Sequence, residues 1–362
     1  MNANRSEWTD FDSAMMREAI ALSRMGFPAP NPRVGAIVVS NGEIVGRGHH
    51  EAVGLPHAEV VAIREAGERA RGGVLYVTLE PCKHHGRTPP CVETIIASGI
   101  RRVVYACDDP NPMAAGGANV LREAGIEVQG GLLCEEAAKI NRFFMNCHRL
   151  GRPWVFVKAG VTLDGRIATS SGESKWITDE TARKRTHELR AETGCVLVGS
   201  KTVLCDNPSL TVRAFSVPSQ PLRVILDLDA SLRGEWKCFT DRQAKTIWVT
   251  SQMHRDYENE YVENWVCPLR EGEFDLNALL HFLKERGMIA VLVEGGGNTV
   301  ETFFRQSLAD EIELHVAPKV LGSGRVWVDG KGVKELKDAW QLTDLHAEPL
   351  GDGLKITAKV KR

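Results

Sequence analysis

The chain has 362 residues, 43% hydrophobic and 25% charged; this is the balance of a soluble globular protein, and the length suits two domains better than one core. A net charge of −2 provides no global positive field for a polyanion, which argues against a nucleic-acid partner. Nine cysteines over this length are no disulfide scaffold, the stretch Met1 to Asp10 is polar, and no apolar run is long enough to span a bilayer; a reducing cytoplasm is expected, where grouped cysteines bind metal or act chemically.

In chain order, Phe11, Ala14, Met15, Ala19, Leu22 and Met25 recur at helical spacing and predict an amphipathic helix over 11–25, stopped by Ala29-Pro30-Asn31-Pro32. Segments 34–39 and 44–48 read as a hairpin across Asn41-Gly42, a type I′ turn pair. A helix over about 57–69, a buried strand over 74–79, a short helix over 91–98 and a strand over 102–106 follow, then a turn-rich loop from Asp108 to Pro112. Leu150-Gly151-Arg152-Pro153 reads as a linker dividing a first domain, 1–150, from a second, 151–362. The second half restarts with a strand over 154–160 and a helix over 179–192. Apolar strands are expected at 195–199, 222–227, 246–250 and 289–293, then a helix through Leu308 and strands at 311–317 and 354–360. Strands alternating with helices make both halves α/β.

The densest chemistry lies in the first half. His57-Ala58-Glu59 is followed by Pro81-Cys82 and then Cys91. A structural zinc usually takes four protein ligands, whereas a catalytic zinc keeps three and leaves one position for water. One imidazole and two thiols, with a non-ligating carboxylate two residues from the histidine, form the donor set of a zinc deaminase. The metal lowers the pKa of its water towards neutrality, and Glu59 is placed to move the proton. His84 and His85 are competing ligands or pocket residues. Cys107, Cys134, Cys147, Cys195, Cys205, Cys238 and Cys267 lack ligand spacing and read as apolar filler. The common deaminase pattern is Pro-Cys-x-x-Cys, but here eight residues, Lys83 to Pro90, separate the cysteines.

In the second half, Glu294-Gly295-Gly296-Gly297-Asn298 follows an apolar strand and opens a helix. Glycines allow close backbone approach, and a helix N-terminus offers free N–H groups to a phosphate. The run does not match the dinucleotide fingerprint Gly-x-Gly-x-x-Gly.

The strings Pro30-Asn31-Pro32-Arg33-Val34-Gly35, Thr78-Leu79-Glu80-Pro81-Cys82, His84-His85-Gly86-Arg87-Thr88-Pro89-Pro90-Cys91 and Asp109-Pro110-Asn111-Pro112, with His57-Ala58-Glu59, closely resemble the RibD family of bifunctional riboflavin-biosynthesis proteins. Lys158 to Arg166, Ser171 to Thr178, Asp206 to Arg213 and Val293 to Gly297 resemble the same family, so the likeness runs from about residue 11 to the last strand. It implies a cytidine-deaminase-like layered α/β domain followed by a dihydrofolate-reductase-like α/β domain. One zinc ion per chain would sit on His57, Cys82 and Cys91, with Glu59 as the acid/base. The implied substrate is 2,5-diamino-6-ribosylamino-4(3H)-pyrimidinone 5′-phosphate. Deamination would be followed by reduction with NADPH to the ribityl compound.

By the same resemblance, cofactor contacts fall on Gly160, Trp176, Thr202, Asp206, Gly296, Gly297, Asn298, Thr299, Val300, Glu301 and Thr302. Substrate contacts fall on Ser174, Arg190, Leu210, Arg213 and Glu294. Arg190 and Arg213 suit a ribose phosphate, because guanidinium pairs with phosphate oxygens, although either alone reads as an ordinary surface charge. Asn31, His84 and Arg87 are further candidates for the first pocket. No clear acid for the reduction is visible, with Asp206 a distant candidate. A homodimer or larger assembly is a family expectation. The competing reading is a nucleoside or tRNA base deaminase fused to an unrelated nucleotide-binding domain; the near-neutral charge and the wide Cys82–Cys91 spacing speak against it.

Overall fold

The computed structural model describes residues 8–85 and 89–361. The chain divides between Arg149 and Leu150 into two compact units.

In the first unit the opening helix, Asp10–Ser23, starts at a capping box in which Thr9 and Asp12 satisfy each other's backbone N–H groups. It buries Met16, Ala19 and Ile20 against strands Gly35–Ser40 and Val74–Leu79. The approach is close: a Cβ on Gly35 would stand 2.0 Å from the Ala19 carbonyl oxygen, so only glycine fits there. Strands Gly35–Ser40 and Glu43–His49 form the expected hairpin, and both turn residues have positive φ, 52° at Asn41 and 81° at Gly42. Among the described residues the sheet has five strands, in the order Glu43–His49, Gly35–Ser40, Val74–Leu79, Arg102–Cys107, Glu127–Gly130. The last three are mutually parallel. Helices Ala58–Ala66 and Cys91–Ser98 pack together, which brings their N-termini to the ends of the parallel strands. The expected helix over 57–69 ends at Ala66, where a 3-10 turn, Gly67–Ala70, takes over. Helices Gly117–Glu123, Cys134–Ile140 and Arg142–Leu150 lie outside the elements expected from sequence.

The second unit holds a nine-stranded sheet among the described residues. Its order is Val262–Val266, Thr246–Thr250, Leu222–Leu226, Cys195–Gly199, Ala290–Val293, Trp154–Thr162, Glu311–Ala317, Gly353–Val360, Leu342–Leu350. Strand Trp154–Thr162 is central and parallel to both neighbours, which is why Trp154 to Val157 reads as a continuous apolar run. Helix Glu180–Thr193 is capped by Asp179, which accepts from Ala182 N–H, and ends at Gly194 in the left-handed conformation. Helix Leu276–Glu285 was not expected, although Leu276, Leu279, Leu280 and Leu283 bury one stripe of it. Helix Gly297–Arg305 stops short of the expected Leu308. Strand Leu342–Leu350 also escaped the sequence reading for a physical reason: it is an edge strand, exposed along almost its whole length, and so lacks the buried alternation that marks a strand.

Arg152, expected in a linker, is buried. Its guanidinium donates to both carboxylate oxygens of Asp310, at 2.8 and 2.9 Å, and Asp310 also accepts from Val155 N–H. This clamp ties the start of the central strand to the segment before Glu311–Ala317. Arg152→Ala is expected to destabilise the unit by about 3–5 kcal/mol, read as a lower midpoint in urea unfolding, because it strands a buried carboxylate.

Candidate active sites

In the first unit three ligand atoms converge. One from each of His57, Cys82 and Cys91 lie within 4.8 Å of one another. His57 caps helix Ala58–Ala66, Cys82 follows strand Val74–Leu79, and Cys91 opens helix Cys91–Ser98. His57 Nδ1 stands 3.1 Å from Cys91 Sγ and 3.5 Å from Cys82 Sγ. Ligands on one tetrahedral zinc stand about 3.5 Å apart, so the group fits that ion in both chemistry and spacing. Among the described residues no fourth ligand joins it. Hydrogen bonding from Cys91 holds the Cys82 thiol down at about 4 despite burial, and the proton is retained on Cys91, whose thiol is pushed well up. The bond to Cys82 raises the proton affinity of His57.

Glu59, in the first turn of its helix, is 4% exposed. Burial raises its proton affinity, opposed by the nearby charge of His57. A carboxyl group so placed takes up and releases a proton near neutrality more readily than an exposed one. The loops around it are tied down by Glu80, whose carboxylate accepts from the backbone N–H groups of Asp109, Gly116 and Ala118. Asn31 donates to His50 Nε2 at 3.0 Å, and His50 Nδ1 lies 3.2 Å from the Pro56 carbonyl. That assigns the His50 proton to Nδ1. Its ring packs edge-on against His57, with centroids 5.2 Å apart. His85 pairs with Glu93, and neither His84 nor His85 belongs to the ligand group. Arg87 lies outside the described residues.

In the second unit a cleft of about 940 Å³ brings together Ser174, Thr202, Asp206, Gly296, Gly297, Asn298, Thr299, Glu301 and Thr302 of the sequence-predicted residues. Gly296 caps helix Gly297–Arg305. A Cβ at Gly296 would meet only Thr202 Oγ1, at 3.9 Å, whereas at Gly297 it would strike the Val326 carbonyl oxygen at 2.5 Å. The loop therefore offers open backbone and free helix N–H groups to the cleft while its other side is packed, as a cofactor pyrophosphate requires. Ser174 donates to Asp206 at 3.3 Å. Val300 is fully buried in the core and its N–H bonds the Gly296 carbonyl, so neither its side chain nor its N–H faces a ligand. Cys205 is exposed on the cleft, 3.3 Å from an Arg325 guanidinium nitrogen, so it is not the buried filler expected from sequence, and Cys134 is only half-buried.

Of the remaining predicted residues, Glu294 directly follows strand Ala290–Val293 and Arg190 reaches it from helix Glu180–Thr193. Arg190 grips Glu294 through two hydrogen bonds of 2.7 and 2.8 Å, and both are mostly buried, not surface charges. Leu210 is buried, and Arg213 donates to Thr211 Oγ1. The buried guanidinium of Arg223 holds this segment through the Ser209 carbonyl. Burial and the charges of Arg190 and Arg213 push His187 down to about 4. Gly160 packs under Thr178: a Cβ there would stand 3.1 Å from the Thr178 methyl and 3.8 Å from the Lys158 Nζ. Trp176 is 64% exposed, with the Arg183 guanidinium 4.7 Å over its ring. Gly160, Trp176, Arg190, Leu210, Arg213 and Glu294 do not line the cleft.

Comparison with known proteins agrees with both units. Residues 153–356 match the RibD C-terminal domain, and residues 9–107 match the cytidine and deoxycytidylate deaminase zinc-binding region. The riboflavin biosynthesis protein RibD of Aquifex aeolicus is 42% identical over 353 residues, covering 97% of this chain and 99% of that one. That of Escherichia coli is 38% identical over 348 residues, covering 92% and 93%. The chain belongs to the RibD family. Among solved structures, Acinetobacter baumannii RibD superposes with a TM-score of 0.89 at 35% identity, covering 97% of this chain and 99% of that one. The deaminase/reductase of Thermotoga maritima gives 0.87 at 37%, with the same coverage. As a RibD-family member the chain is a bifunctional riboflavin-biosynthesis enzyme, a zinc-dependent deaminase and an NADPH-dependent reductase.

In this RibD-family frame two neighbours of the sites, His50 and His187, went unnoticed in the sequence, and Lys158 was named only as the start of a matching string. Their signals were weak. His50 follows His49 at a strand end, and Lys158 interrupts an otherwise apolar strand.

Proposed function

We propose that residues 1–150 deaminate 2,5-diamino-6-ribosylamino-4(3H)-pyrimidinone 5′-phosphate and residues 151–362 reduce the product to 5-amino-6-ribitylaminouracil 5′-phosphate. The observation that carries the first step is the three-ligand group of His57, Cys82 and Cys91 with buried Glu59 beside it. Zinc, when bound there, makes a water nucleophilic near neutral pH. Glu59 takes the two protons of the attacking water in turn, passing the first to the ring nitrogen and the second to the departing ammonia. Asn31 and His84 line the base pocket, and Arg87 meets the phosphate.

For the second step, NADPH would supply the two electrons, and Gly296 to Thr299, Glu301 and Thr302 would hold it with Thr202 and Asp206. Arg190 and Arg213 receive the ribose phosphate, and Glu294, aligned by Arg190, orients the sugar hydroxyls. Reduction at C1′ also consumes one proton, taken up by the ribose ring oxygen as the ring opens. The Lys158 ammonium donates it: burial lowers its proton affinity, and the charge of Glu294 opposes that. The substrates are small pyrimidine ribose phosphates. The near-neutral charge argues against a nucleic-acid partner, and no helix among the described residues is long and apolar enough to cross a membrane. The chain works in the cytoplasm as a homo-oligomer.

The direct test is incubation of the zinc-loaded enzyme with the diamino pyrimidine phosphate, with and without NADPH, followed by mass analysis. Replacement of one amino group by oxygen is expected without NADPH, and a further gain of two hydrogens with it. An unchanged substrate in both arms would refute the proposal.

A further inference from the structure

The Lys158 ammonium is flanked by a carboxylate on each side. On one side, strand Ala290–Val293 is parallel to Trp154–Thr162 with Val293 opposite Val157, and it leads directly into Glu294. On the other, strand Glu311–Ala317 places Glu313 opposite Lys158 and His315 opposite Gly160. One helix, Glu180–Thr193, supplies the counter-cation to each carboxylate: Arg190 to Glu294, and Arg185 to Glu313 at 3.2 Å. His315 Nε2 adds a 2.8 Å hydrogen bond to Glu313, and both residues are almost wholly buried. Glu294 is accounted for by substrate binding, but no role has been given to Glu313.

We propose that Glu313 is a positioning residue for the reductase, holding Lys158 in its ammonium form beside the substrate, with Arg185 and His315 fixing the carboxylate. This rests on the reading of Lys158 as the proton donor. Every charged group facing Lys158 takes part: Glu294 and Glu313 stabilise the ammonium, whereas Arg190, Arg185 and a protonated His315 oppose it. Burial disfavours the charged amine, so a single carboxylate already neutralised by Arg190 leaves the proton weakly held. The second carboxylate restores it, and His315 and Arg185 limit how far. The two arginine–carboxylate pairs thus bracket the lysine and set the pH above which reduction fails. The carboxylate itself never touches substrate.

The signs of two substitutions in the full-length, zinc-loaded enzyme test this. In Glu313→Gln the alkaline fall of reductase kcat is expected about one pH unit lower than in the parent, a loss of about tenfold at the most alkaline pH. In Arg185→Gln the fall moves to higher pH, because Glu313 then loses its fixed counter-cation and acts more strongly on Lys158. The same shifts are expected without NADPH in the pH dependence of Lys158 acylation by an amine-selective reagent, followed by mass spectrometry. Glu313→Asp retains the parent limb. Thermal unfolding reports that each variant is folded, and parent-level deamination that the other unit is untouched. A folded Glu313→Gln with the parent kcat limb and acylation profile would overturn the proposal, and if that variant does not fold, Arg185→Gln decides by the same readouts. Lys158→Met separates the two layers: parent-rate reduction in it removes the proton-donor reading, whereas an inactive Lys158→Met beside an unmoved Glu313→Gln removes only the role of Glu313.

Discussion

Glu59→Gln is expected to abolish ammonia release while zinc content and reductase activity stay at parent levels. Glutamine keeps the volume and one hydrogen-bonding oxygen, so the packing of a 4% exposed side chain survives. What it loses is the ability to take a proton from water. A positioned acid/base is worth about 10²–10⁴-fold in rate, and here one carboxylate serves both the attack and the departure of ammonia, so the loss belongs at the upper end. Metal retention follows from the geometry, because the ligand group is His57, Cys82 and Cys91 without Glu59. The measurements are metal analysis, ammonia release from the diamino substrate, and NADPH oxidation with the deaminated one. Parent-rate ammonia release would take the acid/base role away from Glu59.

Arg190→Ala is expected to cost about 3–5 kcal/mol of stability in the second unit and to remove reductase activity. The pair it breaks is bidentate and mostly buried, at 11% and 12% side-chain exposure. Burial on its own would raise the proton affinity of Glu294, but Arg190 outweighs it and the group sits below its usual carboxylate range. A carboxylate lowered in the folded state contributes stability above its unfolded pKa and loses it as pH falls. The gap between parent and variant in urea unfolding should therefore be widest near neutral pH and shrink on acidification. Adding Glu294→Gln should return part of the lost stability at neutral pH, because no charge is then left unpaired. Strictly additive single effects would show that the two side chains do not stabilise one another.

Much of both sites was legible in the residues. The ligand trio and Glu59 could be read because their chemistry is rare, and because the chain places them at the boundaries of elements whose signals were strong: the Asn41-Gly42 turn, the apolar run Val74–Leu79, the start of helix Cys91–Ser98. The glycine run before helix Gly297–Arg305 was visible for the same reason. Strand Leu342–Leu350 was not, since an exposed edge carries no burial pattern, and the boundary near Arg152 looked like a flexible linker because a lone arginine does not announce a buried partner 158 residues away.

From the sequence alone came the α/β class of both halves, the grouping of His57, Cys82 and Cys91 with Glu59 close by, and the glycine run that opens helix Gly297–Arg305. These depend on residue type and on neighbours close along the chain. Only the tertiary structure decided that Arg190 and Glu294 are buried together, that His50 backs His57, and that Lys158 stands between two carboxylates. The first and last of those facts arise from segments more than a hundred residues apart, and a side chain's charge state follows from what surrounds it after folding.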